Sequence, residues 1–87
     1  MRIHVWIRGR VQGVFFRAEA RARAESLGLA GWIRNAMDGS VEAVFEGDDA
    51  RVRSMVEWCR RGPSGARVDE VEAETEEPRG ETGFRVT

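Results

Sequence analysis

The chain has 87 residues, of which 33% are charged and 41% hydrophobic, and its formal net charge is −1. That balance excludes intrinsic disorder, and no apolar run approaches the roughly 20 residues needed to cross a bilayer. No secretory segment follows Met1, so the sequence reads as cytoplasmic, with no membrane partner. The length suits one domain over residues 1–87. Cys59 and His4 are each the only residue of their kind, which leaves no disulfide framework and no cysteine-based metal site. The acidic residues show no ligand-like spacing, so neither a metal nor a cofactor is expected. Residues 1–34 carry seven Arg against Glu19 and Glu25, whereas residues 35–87 carry seven Arg against thirteen acids. A positive first half would draw in a small anion, while the acidic second half would repel a nucleic acid. Lysine is absent, and Gln12 and Asn35 are the only side-chain amides. This suits a heat-adapted source or a GC-rich genome.

Ile3, Val5 and Ile7 alternate with polar or larger residues, the period-2 sign of a strand with one buried face. Phe16, Ala20, Ala24 and Leu27 then recur at helical spacing, and Gly28 is a stop signal. Trp32 to Met37 reads as a second strand, with Asp38-Gly39 as a two-residue hairpin turn. Val41, Ala43 and Phe45 alternate in a third strand that ends at Gly47. Asp48 or Asp49 caps a second helix, whose apolar stripe is Val52, Met55, Val56 and Cys59. Gly62-Pro63 ends it. Val68, Val71 and Ala73 mark a fourth strand, and their change of phase requires a bulge or a slip. Glu70, Glu72, Glu74 and Glu76 suit an edge guarded by like charge. Pro78 to Gly83 is a loop, and Phe84 with Val86 forms a short closing strand. The order β-α-β-β-α-β plus a tail predicts an α+β, ferredoxin-like sandwich: an antiparallel sheet with two helices on one face.

The segment Gly9-Arg10-Val11-Gln12-Gly13-Val14-Phe15-Phe16-Arg17 joins the first strand to the first helix. Glycines let the chain turn so that successive N–H groups face one spot. The helix opening there adds unpaired N–H groups and the positive end of its dipole. Such a corner suits a phosphate-like anion. Arg17, in the first helical turn, leans back toward the same place. Each part has a plainer reading. A glycine-punctuated turn is often structural, Arg17 alone would be a surface residue, and Asn35 before a turn would bond local backbone. The segment is neither a Walker loop nor a GxGxxG motif.

Gly9 to Arg17, with Gly31-Trp32-Ile33-Arg34-Asn35 and Asp38-Gly39, resemble the two signature segments of the acylphosphatase family. The resemblance spans essentially the whole chain, including element order and the Gly-Pro after the second helix. It implies the same ferredoxin-like fold and metal-free hydrolysis of the carboxyl–phosphate bond of acyl phosphates such as acetyl phosphate. It also implies Arg17 as the phosphate-binding arginine and Asn35 as the residue that orients the attacking water. The substrate would be gripped by Val11, Gln12, Gly13, Val14, Phe15, Phe16 and Arg17; the family varies at the position of Phe15. The implied partner is a small acyl phosphate, and a monomer is expected. A carboxylate leaving group, with an aqueous pKa of about 4–5, needs no strong general acid.

Two other function classes fit the fold. An RNA-binding module would carry a basic, aromatic third strand, but Ser40-Val41-Glu42-Ala43-Val44-Phe45-Glu46 is acidic with one aromatic. A non-enzymatic phosphate sensor or accessory domain would keep the anion site without turnover. The remaining reactive residues read as structural: Trp6, Trp32 and Trp58 as packing anchors, Cys59 as a small hydrophobe, and His4 as a strand residue remote from the glycine segment.

Overall fold

The first strand, β1 (Arg2–Arg10), buries Val5 and Ile7 completely on one side and turns Arg2, His4, Trp6 and Arg8 to the other. The computed structural model describes residues 1–87. β1 is followed by α1 (Phe16–Ser26), β2 (Ala30–Asn35), β3 (Val41–Glu46), α2 (Asp49–Cys59), β4 (Arg67–Glu76) and β5 (Phe84–Val86). The sheet order is β4-β1-β3-β2-β5. Sequence reading and structure agree on the β-α-β-β-α-β order, the two helices and the short closing strand. One feature of the sheet differs: β5 pairs parallel to β2, so the sheet is mixed and not wholly antiparallel. A strand entering from a long irregular connection can dock in either direction, and period-2 patterning carries no information on which.

Val5, Ile7, Ile33, Val41, Ala43 and Phe45 of the sheet join Phe16, Ala20 and Ala24 of α1 and Val52, Met55, Val56, Trp58 and Cys59 of α2 in one buried cluster. α1 lies over β2 and β5, and α2 over β1 and β3. α1 buries the small Ala20 and Ala24 beside Phe16, whereas α2 buries the larger Val52, Met55, Val56 and Trp58. Asp48 caps α2, its carboxylate accepting from the Arg51 N–H at 3.2 Å. Burial pushes the Cys59 thiol up to about 12, so it stays protonated among its apolar neighbours. No helix is long and apolar enough to cross a membrane.

The change of phase in the fourth strand is a bulge. Arg8 faces Glu70 and Gly9 faces Val68, leaving Asp69 as the extra residue of β4. Gly9 is therefore a strand residue and not part of the anion loop. A Cβ at Gly9 would collide with the Arg67 carbonyl, so the close approach of the bulged strand explains the glycine. The hairpin between β2 and β3 also differs from the expected two-residue turn. Ala36 N–H donates to Ser40 carbonyl at 2.8 Å and Gly39 N–H to Ala36 carbonyl at 3.2 Å, so three residues, Met37 to Gly39, form the loop. Gly39 at φ 93° takes the left-handed position of such a loop. Asp38 stiffens it by accepting from the Ser40 N–H at 2.9 Å and the Ser40 hydroxyl at 2.6 Å.

The sheet face away from the helices holds an ion-pair network. Arg2, 2% exposed, meets Glu46 at 3.2 Å, Glu76 at 2.8 Å and Glu81 at 3.0 Å. Burial alone would lower its pKa, but hydrogen bonds to the three carboxylates outweigh that and raise it. His4 is stacked on Trp6 and sits between Glu42 at 2.6 Å and Glu76 at 2.8 Å, edge-on to Trp32. Arg34 closes on Glu42 at 2.6 Å. Trp6, Trp32 and His4 thus share this face with the carboxylates of Glu42 and Glu76.

Candidate active site

Between β1 and α1 the chain leaves regular structure at Val11 and re-enters it at Phe16. Within this span Gly13 has φ 74° and Phe15 φ 62°, both left-handed. Phe15 is the N-cap of α1 yet offers no side-chain acceptor. A left-handed phenylalanine costs roughly 1–2 kcal/mol. Strain of this kind persists where the backbone conformation has a use. None of the backbone N–H groups from Gln12 to Ala18 donates to a protein acceptor; the first to do so is Glu19, to the Phe15 carbonyl at 3.0 Å. Free amides at a helix N-terminus, preceded by left-handed turns, form a site for an anion.

Val11, Gly13, Phe15, Phe16, Arg17, Ala18, Arg21, Asn35 and Val86 surround a pocket of about 510 Å³. Arg17 is half-buried and makes no ion pair; its one protein acceptor is the Thr87 carbonyl at 3.4 Å. The guanidinium is thereby left free to bind an anion. Asn35, the last residue of β2, shares the helix-side face with Ile33 because strand side chains alternate. Its Oδ1 is buried and has no hydrogen-bond partner. A buried acceptor without a donor costs about 1–3 kcal/mol. Asn35 and Arg17 line the same pocket.

Both of the side chains singled out in the sequence, Arg17 and Asn35, therefore face one pocket, together with Val11, Gly13, Phe15 and Phe16. The side chains of the two remaining loop residues turn elsewhere. Val14 packs against the core, and Gln12 donates to the Ala36 carbonyl at 2.8 Å and the Ser40 carbonyl at 2.9 Å. Gln12 thus ties the anion loop to the hairpin that follows Asn35. The two amides of this chain have distinct tasks, one holding the two segments together and the other lining the pocket. Arg21 and Val86 are additional wall residues. Arg21 stands four positions after Arg17 on the same helical face, a spacing visible in sequence. Val86 arrives only through the parallel docking of β5, for which the sequence holds no signal.

The fold is an α+β ferredoxin-like sandwich, with one pocket where unbonded backbone amides, Arg17 and Asn35 come together. Comparison with known proteins narrows this class. The acylphosphatase family model matches residues 3–86. An acylphosphatase of Syntrophobacter fumaroxidans is 59% identical over 87 residues, covering 99% of this chain and 90% of the relative. One from Haloarcula marismortui is 55% identical over 85 residues, covering 98% and 93%. The structure of an acylphosphatase from Coxiella burnetii superposes with a TM-score of 0.94 at 41% identity, covering 99% of this chain and 90% of that one. The chain belongs to the acylphosphatase family.

Proposed function

We propose that this chain hydrolyses the carboxyl–phosphate bond of acyl phosphates, releasing a carboxylate and inorganic phosphate, and that it does so without a metal. The observation that carries the reading is the placement of Asn35. Asn35, whose Oδ1 has no partner, lines the same pocket as Arg17, at the end of the segment whose Gln12 to Ala18 amides are unbonded. The amides and the Arg17 fork bind the phosphoryl oxygens and neutralise the charge that spreads over them. Asn35 accepts a hydrogen bond from a water and holds it in line with the breaking bond. The water oxygen forms a bond to phosphorus as the bond from phosphorus to the acyl oxygen breaks, and the bonding pair leaves with the carboxylate. A carboxamide is too weak a base to take the water proton, so that proton passes to a phosphate oxygen. The left-handed backbone at Gly13 and Phe15 keeps the amides preorganised, so little reorganisation is needed as charge develops.

Apolar side chains (Val11, Phe15, Phe16, Ala18 and Val86) and Arg21 form the rest of the wall, and no carboxylate lines it. The acyl group would meet only these surfaces, so specificity would rest on the phosphate. The like-charged Glu70, Glu72 and Glu74 along β4 guard that edge and support a monomer. The test is a steady-state assay with acetyl and benzoyl phosphate beside a phosphomonoester. Cleavage of the acyl phosphates alone, undiminished by EDTA, is expected. Phosphate binding without turnover would make the chain an anion-binding module, and loss of turnover on chelation would overturn the metal-free mechanism.

A further inference from the structure

β5 has three residues, and the chain reaches it through residues 77–83, which have no helix or strand. Such a short strand is held by few bonds of its own: Phe84 stacks on Phe45 in the core, Gly31 N–H donates to the Gly83 carbonyl at 2.9 Å, and Thr87 N–H to the Ile33 carbonyl at 2.9 Å. Yet β5 brings Val86 to the pocket wall, and the Thr87 carbonyl is the one protein acceptor of Arg17. What fixes the approach to β5 lies on the other face of the sheet. Glu46, at the end of β3, accepts three consecutive backbone N–H groups: Arg79 at 3.0 Å on Oε1, and Gly80 at 2.8 Å and Glu81 at 3.1 Å on Oε2. Arg2 holds the same carboxylate at 3.2 Å and also binds Glu81 at 3.0 Å. The three amides form a nest around an internal anion, the same device that the 11–17 segment offers to an external one.

We propose that Glu46 is a positioning residue for the anion site, acting through residues 79–87 to set the pocket wall at Val86 and the orientation of Arg17. Its kinetic readout rests on the function proposed above. Glu76 is the control, because it shares Arg2 and His4 with this network but bonds none of the 79–81 amides. In Glu46→Ala, the inhibition constant of inorganic phosphate and the KM for benzoyl phosphate rise together by about five- to tenfold, the size expected when an orienting contact is lost, while kcat holds within about twofold. Hydrogen exchange at the Gly80, Glu81 and Thr87 amides accelerates in the same variant. Glu46→Gln, which keeps one carbonyl oxygen for these amides, falls between it and the wild type, and carries the test where Glu46→Ala does not fold. Glu76→Gln leaves KM, phosphate inhibition and Thr87 exchange at wild-type values even where its melting temperature drops. A folded Glu46 variant with unchanged phosphate inhibition and unchanged Thr87 exchange would overturn the proposal. So would a Glu76→Gln variant with an equal rise in KM. If the wild type cleaves no acyl phosphate, directly measured phosphate affinity and Thr87 exchange still decide the role of Glu46, so the two readings fail separately.

Discussion

On the face of the sheet away from the helices, Arg2, His4, Arg34, Glu42, Glu46, Glu76 and Glu81 bond one another, and backbone amides complete the set. Beneath the N-terminus of α1, seven backbone amides, the Arg17 guanidinium and the Asn35 carbonyl have almost no protein partners. Both regions are rich in polar groups, but only one is satisfied by the protein itself. A satisfied network ties strands together, and an unsatisfied one is competent to bind. The bonded network and the proposed anion site therefore lie on opposite sides of a single sheet, and the Glu46 contacts with residues 79–81 run from the first toward β5.

The comparison can be broken most severely at Arg2. Arg2→Met leaves Glu46, Glu76 and Glu81 facing one another without their cation, and removing one partner of a buried pair costs about 3–5 kcal/mol. Urea denaturation measures this, and a loss below about 1 kcal/mol would place the network among weak surface pairs. Arg17→Ala tests the opposite region. It should leave the urea midpoint near wild type and lower kcat/KM at least about tenfold, since each charge-assisted bond is worth about 1.5–3 kcal/mol. Near wild-type cleavage of acetyl phosphate by that variant would remove Arg17 from the mechanism. Asn35→Ala sharpens the division further. It should lower kcat by about tenfold or more while inorganic phosphate still inhibits, and its stability should not fall, because the variant deletes a buried acceptor that has no partner. Loss of phosphate inhibition would instead make Asn35 a binding residue.

Acid gives the mildest test. Backbone amides and Arg2 hold Glu46 below the ordinary carboxylate value of 4.5 despite its burial. Hydrogen bonds from Arg2 and His4 do the same for Glu76. At Glu42 burial pushes upward, but His4 and Arg34 outweigh it, and the net direction is again downward. A carboxylate with a depressed folded-state pKa contributes stability that is fully present above its unfolded value and is lost as pH falls through the folded one. The urea midpoint should therefore hold at neutral pH and decline below about pH 4.5, and Glu76→Gln should flatten part of that decline. A midpoint insensitive to pH in this range would show that the network contributes nothing to folding.

Much of this was legible in the sequence because the signals are local. Alternation marked the strands, the Phe16-Ala20-Ala24 spacing marked α1, and the phase slip between Val68 and Val71 foretold the bulge at Asp69. The glycine segment and Asn35 were readable because each motif has a fixed spacing, and two motifs together are far more specific than one. The misreadings have equally physical causes. Asp38-Gly39 suits several hairpin loops, and only the Ala36–Ser40 pairing selects the three-residue form. A glycine needed for close approach, such as Gly9 against the Arg67 carbonyl, looks the same in sequence as one needed for a turn. The Gln12 side chain bonds carbonyls 24 and 28 residues away, a contact with no local signal in the sequence.

The elements, their order and the buried stripe of each helix follow from periodicity and short-range backbone chemistry, as do the residue types able to hold a tetrahedral anion. Long-range packing sets the parallel docking of β5 on β2, the closure of the pocket by Val86 and Arg21, and the burial of Asn35 Oδ1 without a partner. The same packing sets the 79–81 amides around the Glu46 carboxylate. These features depend on contacts between residues tens of positions apart, whose geometry is set by how the sheet and helices pack and leaves no periodic trace along the chain.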